Sequence, residues 1–195
     1  NELLQRDSQY PGLLYNAALG CHNLKRYDKS IKFFTEFMSL GVGDEVQLKN
    51  CYVCLNQAYN EQKNYAKQEQ ILEEAAKKFP VTLEFLYHLV NVHVATKNIE
   101  KQSEVIDRIL VIEPNNQQIL RNKVAILRRQ GKNKEALELC KRLHVLQPGD
   151  YLISQNLALC YYNVGVEIVN SARLITNQAE YASVLQSAAD YFYNA

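Results

Sequence analysis

Apolar residues recur every three or four positions along much of the chain. Ile106, Ile109 and Leu110 form one such group, and a second joins Leu137 to Leu143. At 3.6 residues per turn, this spacing places the apolar side chains on one stripe of an α-helix. Short polar segments, at residues 63–64, 97–98 and 131–132, separate successive blocks. The pattern therefore predicts helices that are paired through short turns.

The blocks also repeat at a fixed interval. Pro80, Pro114 and Pro148 each close a block and stand 34 residues apart (114 − 80 = 148 − 114 = 34). Columns with the same spacing keep their apolar or aromatic character: Leu55, Leu89 and Leu157; Tyr59, His93, Leu127 and Tyr161. One helical hairpin cannot cover its own apolar stripe, so neighbouring hairpins must stack. We predict an all-α protein of about five tandem hairpins.

The repeat boundaries follow from these columns. The predicted repeats span approximately residues 11–44, 49–82, 83–116, 117–150 and 151–195, and the last carries an insertion near 165–182. The first repeat fits if four inserted residues are allowed before the second, because Tyr27 and Tyr65 occupy the same slot and stand 38 apart (65 − 27 = 38). Residues 1–10 fit the tail of a preceding repeat. We expect a single array that begins inside a longer series and continues beyond Ala195.

These columns resemble the tetratricopeptide repeat (TPR) family over essentially all 195 residues. The residues that carry the resemblance are the three spaced prolines, Tyr27 and Tyr65 at the turns, and Ala136 in a slot for small residues. Residues 162–168, 179–181 and 188–192 are similar to the lengthened C-terminal hairpin of Bacteroidetes TPR proteins. The resemblance implies a right-handed α-α superhelix, a solenoid whose concave groove holds a peptide or a partner's helix.

The sequence departs from the family pattern at several positions. It contains no Trp, and Gln68 and Gln102 stand in the slot for small residues. Lys123 interrupts the leucine column. We expect the affected hairpins to pack less closely than is usual in the family.

Composition adds little about partners. The 22 basic and 21 acidic residues give a net charge of +1, so no global field attracts nucleic acid or an anionic membrane. No apolar run reaches the roughly 18 residues that span a bilayer, and we expect no membrane insertion. An odd count of five cysteines does not indicate a disulfide framework and favours a reducing cytoplasm. The resemblance instead implies a bacterial periplasm or cell envelope, and localisation stays open.

No residue pattern indicates catalysis, a cofactor or a metal. Cys51 and Cys54 form a C-x-x-C, but no second pair of zinc ligands follows. His88 and His93 lie roughly 140° apart around a helix, and His93 falls in a buried column. The glycines near residue 41 and Gly131 lack the partners of a nucleotide-binding loop. We expect a protein that is not an enzyme.

The first helix of each hairpin is expected to line the groove. The projected contact residues are Tyr15, Leu19, His22, Asn23, Val53, Gln57, Asn60, Glu84, Tyr87, Asn91, Arg121, Arg128, Arg129, Gln155, Leu159 and Tyr162. Amides can pair with an extended backbone, and tyrosines supply apolar area. The three arginines form a basic patch that would suit an acidic stretch or a chain terminus.

The sequence predicts a protein-protein interaction scaffold that binds a peptide or partner protein, and an acidic partner is one expectation. The alternative is a regulatory or targeting portion of a larger enzyme or transcription regulator whose active domain lies outside these 195 residues. Weak self-association through the apolar ends of the array is a third expectation.

Overall fold

A computed structural model describes residues 10–194, and this part of the chain contains ten α-helices and no strand. The helices are α1 (Tyr10–Asn23), α2 (Tyr27–Ser39), α3 (Glu45–Glu61), α4 (Tyr65–Lys78), α5 (Leu83–Ala95), α6 (Ile99–Ile112), α7 (Gln117–Arg129), α8 (Asn133–Leu146), α9 (Tyr151–Ala172) and α10 (Gln178–Tyr193). The predicted all-α fold is confirmed. The predicted tail of a preceding repeat lies outside the described residues, apart from Tyr10.

The chain divides into two compact units, one ending at Val105 and one beginning at Ile106. In the first unit, α1 packs on α2, α2 on α3, α3 on α4 and α4 on α5, and α1 also contacts α3. Its core includes the fully buried rings of Phe34 and Phe37 together with Cys51 and Leu55. Stacked hairpins of this kind bury each other's apolar stripes, as the periodicity predicts.

The second unit repeats this arrangement with a longer final hairpin. Helix α7 packs on α8, α8 on α9 and α9 on α10. The core is built from Leu120, Leu137, Ile153 and Val164, all nearly inaccessible to solvent. Gly165 allows the ring of Phe192 on α10 to approach α9, because a Cβ atom at Gly165 would lie only 2.5 Å from Phe192 Cε1. This close approach joins the two long helices.

The turns within four hairpins share one backbone feature. Lys25, Lys63, Lys97 and Gly131 all have positive φ, between 54° and 72°, and each lies two residues beyond the last residue of the first helix of a hairpin. The last three are spaced by the repeat period (97 − 63 = 131 − 97 = 34). A left-handed residue at this position ends a helix and satisfies its last carbonyl groups. Three of the four sites carry lysine instead of the glycine that this conformation favours.

Two of the departures from the repeat pattern have local explanations. Gln68 is 5% exposed and donates a hydrogen bond from Nε2 to Oδ1 of Asn56, at 2.9 Å. Lys123 extends from the leucine column to form an ion pair with Asp107, with an Nζ–Oδ2 distance of 2.7 Å. Each unusual polar residue is therefore accommodated by a polar partner from a neighbouring helix.

Candidate functional site

An open pocket of about 330 Å³ lies in the first unit, where α3, α4 and α5 meet. Its polar lining consists of Asn56, Gln57, Asn60, Tyr65, Gln68, His88 and Asn91, and its apolar lining of Val53, Val92 and Ala95. Helix periodicity explains the set: residues 53, 56, 57 and 60 share one face of α3, and residues 88, 91, 92 and 95 share one face of α5. The pocket thus presents mainly amide side chains.

The floor of the pocket is a buried pair of amides. Gln68 from α4 and Asn56 from α3 are 5% and 6% exposed and form the hydrogen bond described above. With that bond made, Oε1 of Gln68 is inaccessible to solvent and has no hydrogen-bond partner among the residues the structure describes. A buried polar atom without a partner costs free energy, typically about 1–3 kcal/mol. The Gln68–Asn56 pair therefore leaves one acceptor unused inside the first unit.

The rim of the pocket is exposed and carries no formally charged Lys, Arg, Asp or Glu side chain. Gln57, Asn60 and Asn91 are exposed there. His88 approaches Glu84 one helical turn earlier, with an Nε2–Oε1 distance of 3.8 Å. The environment is consequently polar but nearly neutral, which favours ligands that hydrogen-bond over ligands that carry charge.

Four of the predicted groove residues line this pocket: Val53, Gln57, Asn60 and Asn91. Two others on α5 do not belong to its lining. Glu84 is exposed at the side of His88, and Tyr87 is half-buried. The structure thus brings together predicted residues from α3 and α5, and adds Asn56, Gln68 and His88, which the sequence projection missed.

The predicted residues on α1 are largely engaged inside the first unit. The ring of Tyr15 packs against Phe37 at 5.3 Å, and its hydroxyl accepts a hydrogen bond from Asn50 Nδ2 at 2.8 Å. Leu19 packs against the core. Nε2 of His22 lies 3.1 Å from Oε1 of Gln57. Asn23 is exposed. This helix therefore contributes more to packing than the projection suggested.

The predicted arginines of the second unit differ in their surroundings. Arg121 Nη2 lies 2.6 Å from Oδ2 of Asp150 and also donates to Gln147 Oε1 at 3.2 Å. Arg128 donates from Nη1 to Oδ1 of Asn156 at 3.3 Å. Arg129 is exposed. The guanidinium of Arg121 is already paired with a carboxylate of its own unit.

The ion pair between Arg121 and Asp150 lies at the N-terminus of α9. Asp150 is the N-cap of this helix, and its side chain accepts a hydrogen bond from the backbone N–H of Ile153. That backbone hydrogen bond first, and then the hydrogen bond from Arg121, lower the pKa of the Asp150 carboxyl. The carboxylate is therefore held in its charged form by groups of the second unit.

The remaining predicted residues lie on α9. Gln155 is exposed and donates to the hydroxyl of Tyr151 at 2.7 Å, and Leu159 is 39% exposed. Tyr162 stacks obliquely on Phe192, with ring centroids 5.7 Å apart. Tyr162 and Arg128 line a shallow depression of about 540 Å³ in the second unit, which also includes Glu167. These residues form a second, more charged surface.

The five cysteines form no disulfide, and four of them are buried. Burial raises the pKa of the Cys51 thiol to about 12, so the C-x-x-C of α3 lacks a reactive thiolate. Cys140 and Cys160, twenty residues apart in sequence, place their Sγ atoms 3.2 Å apart in the second core. Within residues 10–194, no group of three or more His, Cys, Asp or Glu side chains is arranged to hold a metal ion.

The hairpins and their stacking define the fold as tetratricopeptide-type. No model of a known protein family matches the chain. One curated relative, the uncharacterized protein y4yS of Sinorhizobium fredii, is 29% identical over 92 residues, which cover 47% of this chain and 50% of that protein. The chain thus spans about half the length of the curated relative that it matches.

Solved structures give the fold over nearly the whole chain. A TPR repeats protein from Bacteroides fragilis has a TM-score of 0.61 with 20% identity, covering 95% of this chain and 86% of that one. A MamA protein has a TM-score of 0.55 at 11% identity, and the match covers 96% of this chain and 91% of that one. A tetratricopeptide repeat protein from Parabacteroides merdae has a TM-score of 0.51 at 15% identity, and the match covers 96% of this chain and 75% of that one. The predicted resemblance to TPR proteins, including Bacteroidetes ones, is confirmed at the level of the fold.

The fold points to protein partners in general, because stacked helical hairpins present extended binding surfaces. In the described part of the chain, no helix combines the length and apolar character needed to cross a membrane.

Proposed function

We propose that the chain is a protein-interaction scaffold that binds a peptide or partner protein on the first helices of its hairpins, without catalysis. In the first unit the contact surface is the face of α3 and α5. The observation that supports this most directly is the pocket at that face, which joins four predicted contact residues to the buried Gln68–Asn56 pair.

The chemistry of the pocket suits an extended peptide. Exposed carboxamides at Asn60 and Asn91 can each donate and accept a hydrogen bond, as the backbone of an extended chain requires. Val53 and Val92 add apolar area between them. Binding sites commonly combine such apolar lining with a few convergent polar groups.

The test is a capture experiment with a matched control. We expect the double variant Asn60→Ala with Asn91→Ala to lose partners that the natural full-length protein retains. The control variant, Gln70→Ala with Lys77→Ala, changes exposed residues of α4 that do not line the pocket. This variant should retain the same partners as the natural protein. Equal partner sets for all three proteins would overturn the proposed contact face.

An acidic partner is a second proposal, supported by the surface around Arg128 and Arg129 in the second unit. Since Arg121 is paired with Asp150, this proposal depends mainly on the other two arginines. The variant Arg129→Glu, which alters an exposed charge, should then weaken capture in a salt-dependent manner. Unchanged capture at low salt would remove the acidic-partner proposal and leave the first one standing.

A further inference from the structure

Two cysteines meet in the core of the second unit, where α8 packs on α9. Cys140 on α8 and Cys160 on α9 are each 1% exposed, and their Sγ atoms lie 3.2 Å apart. A disulfide has an S–S distance of about 2.05 Å, so the two sulfur atoms need to approach each other by only about 1.2 Å. A small adjustment of the two side chains therefore allows a covalent bond between the helices.

The repeat pattern shows that packing alone does not require cysteine at these two positions. Position 140 corresponds to Ile106 and Leu72 in the two preceding repeats (140 − 106 = 106 − 72 = 34). Position 160 corresponds to Ile126 and Val92 (160 − 126 = 126 − 92 = 34). These four aliphatic residues are at most 2% exposed. Because aliphatic side chains bury more apolar area than cysteine, a contact in which both partners are cysteine indicates a chemical role.

The two thiols differ in acidity. The hydrogen bond between them raises the pKa of the Cys140 thiol. The same hydrogen bond, together with the positive charge of Arg128 and against the effect of burial, lowers the pKa of the Cys160 thiol. Since the thiolate is the nucleophilic form of cysteine, Cys160 is the thiol that reacts first with an oxidant. Cys140 is then in contact with the oxidised sulfur and can resolve it.

A small pocket of about 110 Å³ lies beside this pair. Cys140 belongs to its lining, and Arg121, Arg128 and Asn156 provide its polar groups. A space of this size holds a few water molecules. Hydrogen peroxide, with two oxygen atoms, fits it, whereas the peptide disulfide of oxidised glutathione is far too large. The pocket therefore favours a small peroxide over thiol–disulfide exchange with a large partner.

We propose that Cys140 and Cys160 are a redox modification site, which hydrogen peroxide oxidises to a disulfide that ties α8 to α9. The Cys160 thiolate attacks one oxygen of the peroxide, and the O–O bond breaks. This step gives a sulfenic acid and a hydroxide, which takes up the proton that the thiol released. The Cys140 sulfur then attacks the sulfenic sulfur and expels its hydroxyl group, which leaves as water with the Cys140 proton. Two thiols thus give up two electrons and two protons, and one peroxide becomes two waters.

The bond closes a loop around the turn between α8 and α9, which contains Pro148 and Gly149. A closed loop reduces the conformational freedom of the unfolded chain, so the oxidised protein is more stable than the reduced one. Oxidation in this way fixes α9, the helix that carries Leu159 and Tyr162 on its exposed face.

The experiment uses the full 195-residue chain, which is first reduced and then freed of reductant. After exposure to hydrogen peroxide, the remaining thiols are alkylated in denaturant, and the peptides are identified by mass spectrometry. We expect the peptides of Cys140 and Cys160 to be linked, with a mass about 2 Da below their sum. Cys21, Cys51 and Cys54 should remain alkylated. Dithiothreitol should reverse the link.

Protein variants test the assignment of the two thiols. Cys140→Ala and Cys160→Ala should each abolish the link. Dimedone, which traps sulfenic acids, should label Cys160 in the first variant several-fold more than Cys140 in the second. The matched control, Cys51→Ala with Cys54→Ala, removes the other neighbouring pair of buried cysteines and should form the link at the natural rate. Circular dichroism checks that each variant is folded, and the link itself is measured in the natural protein.

Thermal unfolding tests whether the folded core accepts the bond. The unfolding temperature of the natural protein should rise by roughly 3 °C or more on oxidation, and peroxide should not raise that of Cys160→Ala. The proposal is overturned if both cysteines of the folded protein stay alkylated after peroxide, if the link forms only in denaturant, or if the link does not raise the unfolding temperature. A faster reaction with oxidised glutathione than with peroxide would contradict the assigned oxidant.

Discussion

The two units carry the same kind of hairpins but use their polar residues differently. In the first unit, the amides at the α3–α4–α5 junction leave a buried acceptor unused and an open pocket above it. In the second unit, charged residues form pairs within the unit, as Arg121 does with Asp150 and Lys123 with Asp107. A groove residue such as Arg121, whose side chain is already bonded within its own unit, is less available to a ligand than an exposed amide such as Asn91.

The largest effect should come from breaking the buried amide pair of the first unit. Gln68→Leu leaves Oδ1 of Asn56 without its donor, and we expect the free energy of unfolding to fall by about 1–3 kcal/mol. The double variant Asn56→Leu with Gln68→Leu should lose less, because neither buried polar partner then remains. Urea denaturation of both proteins measures the difference, and a neutral Gln68→Leu would show that the pair does not hold α3 to α4.

Removing the Arg121–Asp150 ion pair tests whether Arg121 has a structural role in the second unit. Arg121→Ala should lower the free energy of unfolding by about 1 kcal/mol, since the half-buried ion pair also supports the N-cap of α9. Arg129→Ala, at an exposed neighbouring position, should stay within about 0.5 kcal/mol of the natural protein. Thermal unfolding compares the two, and equal stabilities would mean that Arg121 is not structural.

The turns allow a smaller comparison between the units. Lys97 in the first unit and Gly131 in the second both adopt positive φ, at 57° and 72°. Lys97→Gly should therefore raise the free energy of unfolding by about 0.5–1 kcal/mol, and Gly131→Lys should lower it by a similar amount. A stability change of opposite sign at either turn would contradict the assigned backbone conformation.

Acid should destabilise the first unit through His93. This residue is 2% exposed in α5, and burial lowers the pKa of its imidazole below the ordinary value. Below a pH of about 6.5 the unfolded chain then binds more protons than the folded chain, so the free energy of unfolding falls as the pH decreases. The stability present near neutral pH is lost as the pH passes through the folded pKa.

The matched variant for this effect is His93→Leu, because Leu127 occupies the same column of the repeat in the second unit. We expect this variant to lose part of the acid dependence measured by urea denaturation at neutral pH and at pH 5. His88→Gln, which alters a half-exposed histidine on the same helix, provides the control. An undiminished acid dependence in His93→Leu would contradict the role assigned to the buried imidazole.

The sequence alone predicted the helical hairpins because their information is local and periodic. Pro80, Pro114 and Pro148 follow helices at the repeat spacing, and burial of His93 is confirmed. Asn60 on α3 and Asn91 on α5, which the sequence places on the projected groove face, line the same pocket, since both positions follow from helical periodicity.

Other features depend on contacts between helices that no local pattern encodes. Gln68 appeared only as a departure from the small-residue slot, although its pairing with Asn56 decides the character of the pocket. Arg121 and Asp150 are 29 residues apart, and their pairing requires the packing of α7 and α9 around α8. The polar residue Gln68 in a slot for small residues was the one sequence feature that could have indicated the buried amide pair.

The most direct test of the account compares the two faces with one ligand. A peptide selected on the natural chain is titrated against Asn60→Ala with Asn91→Ala and against Arg129→Glu, at one salt concentration, by isothermal titration calorimetry. We predict an affinity loss of about tenfold or more for the amide variant and little change for Arg129→Glu. The reverse ranking, with binding lost only when Arg129 is changed, would contradict the assignment of the partner to the neutral pocket of the first unit.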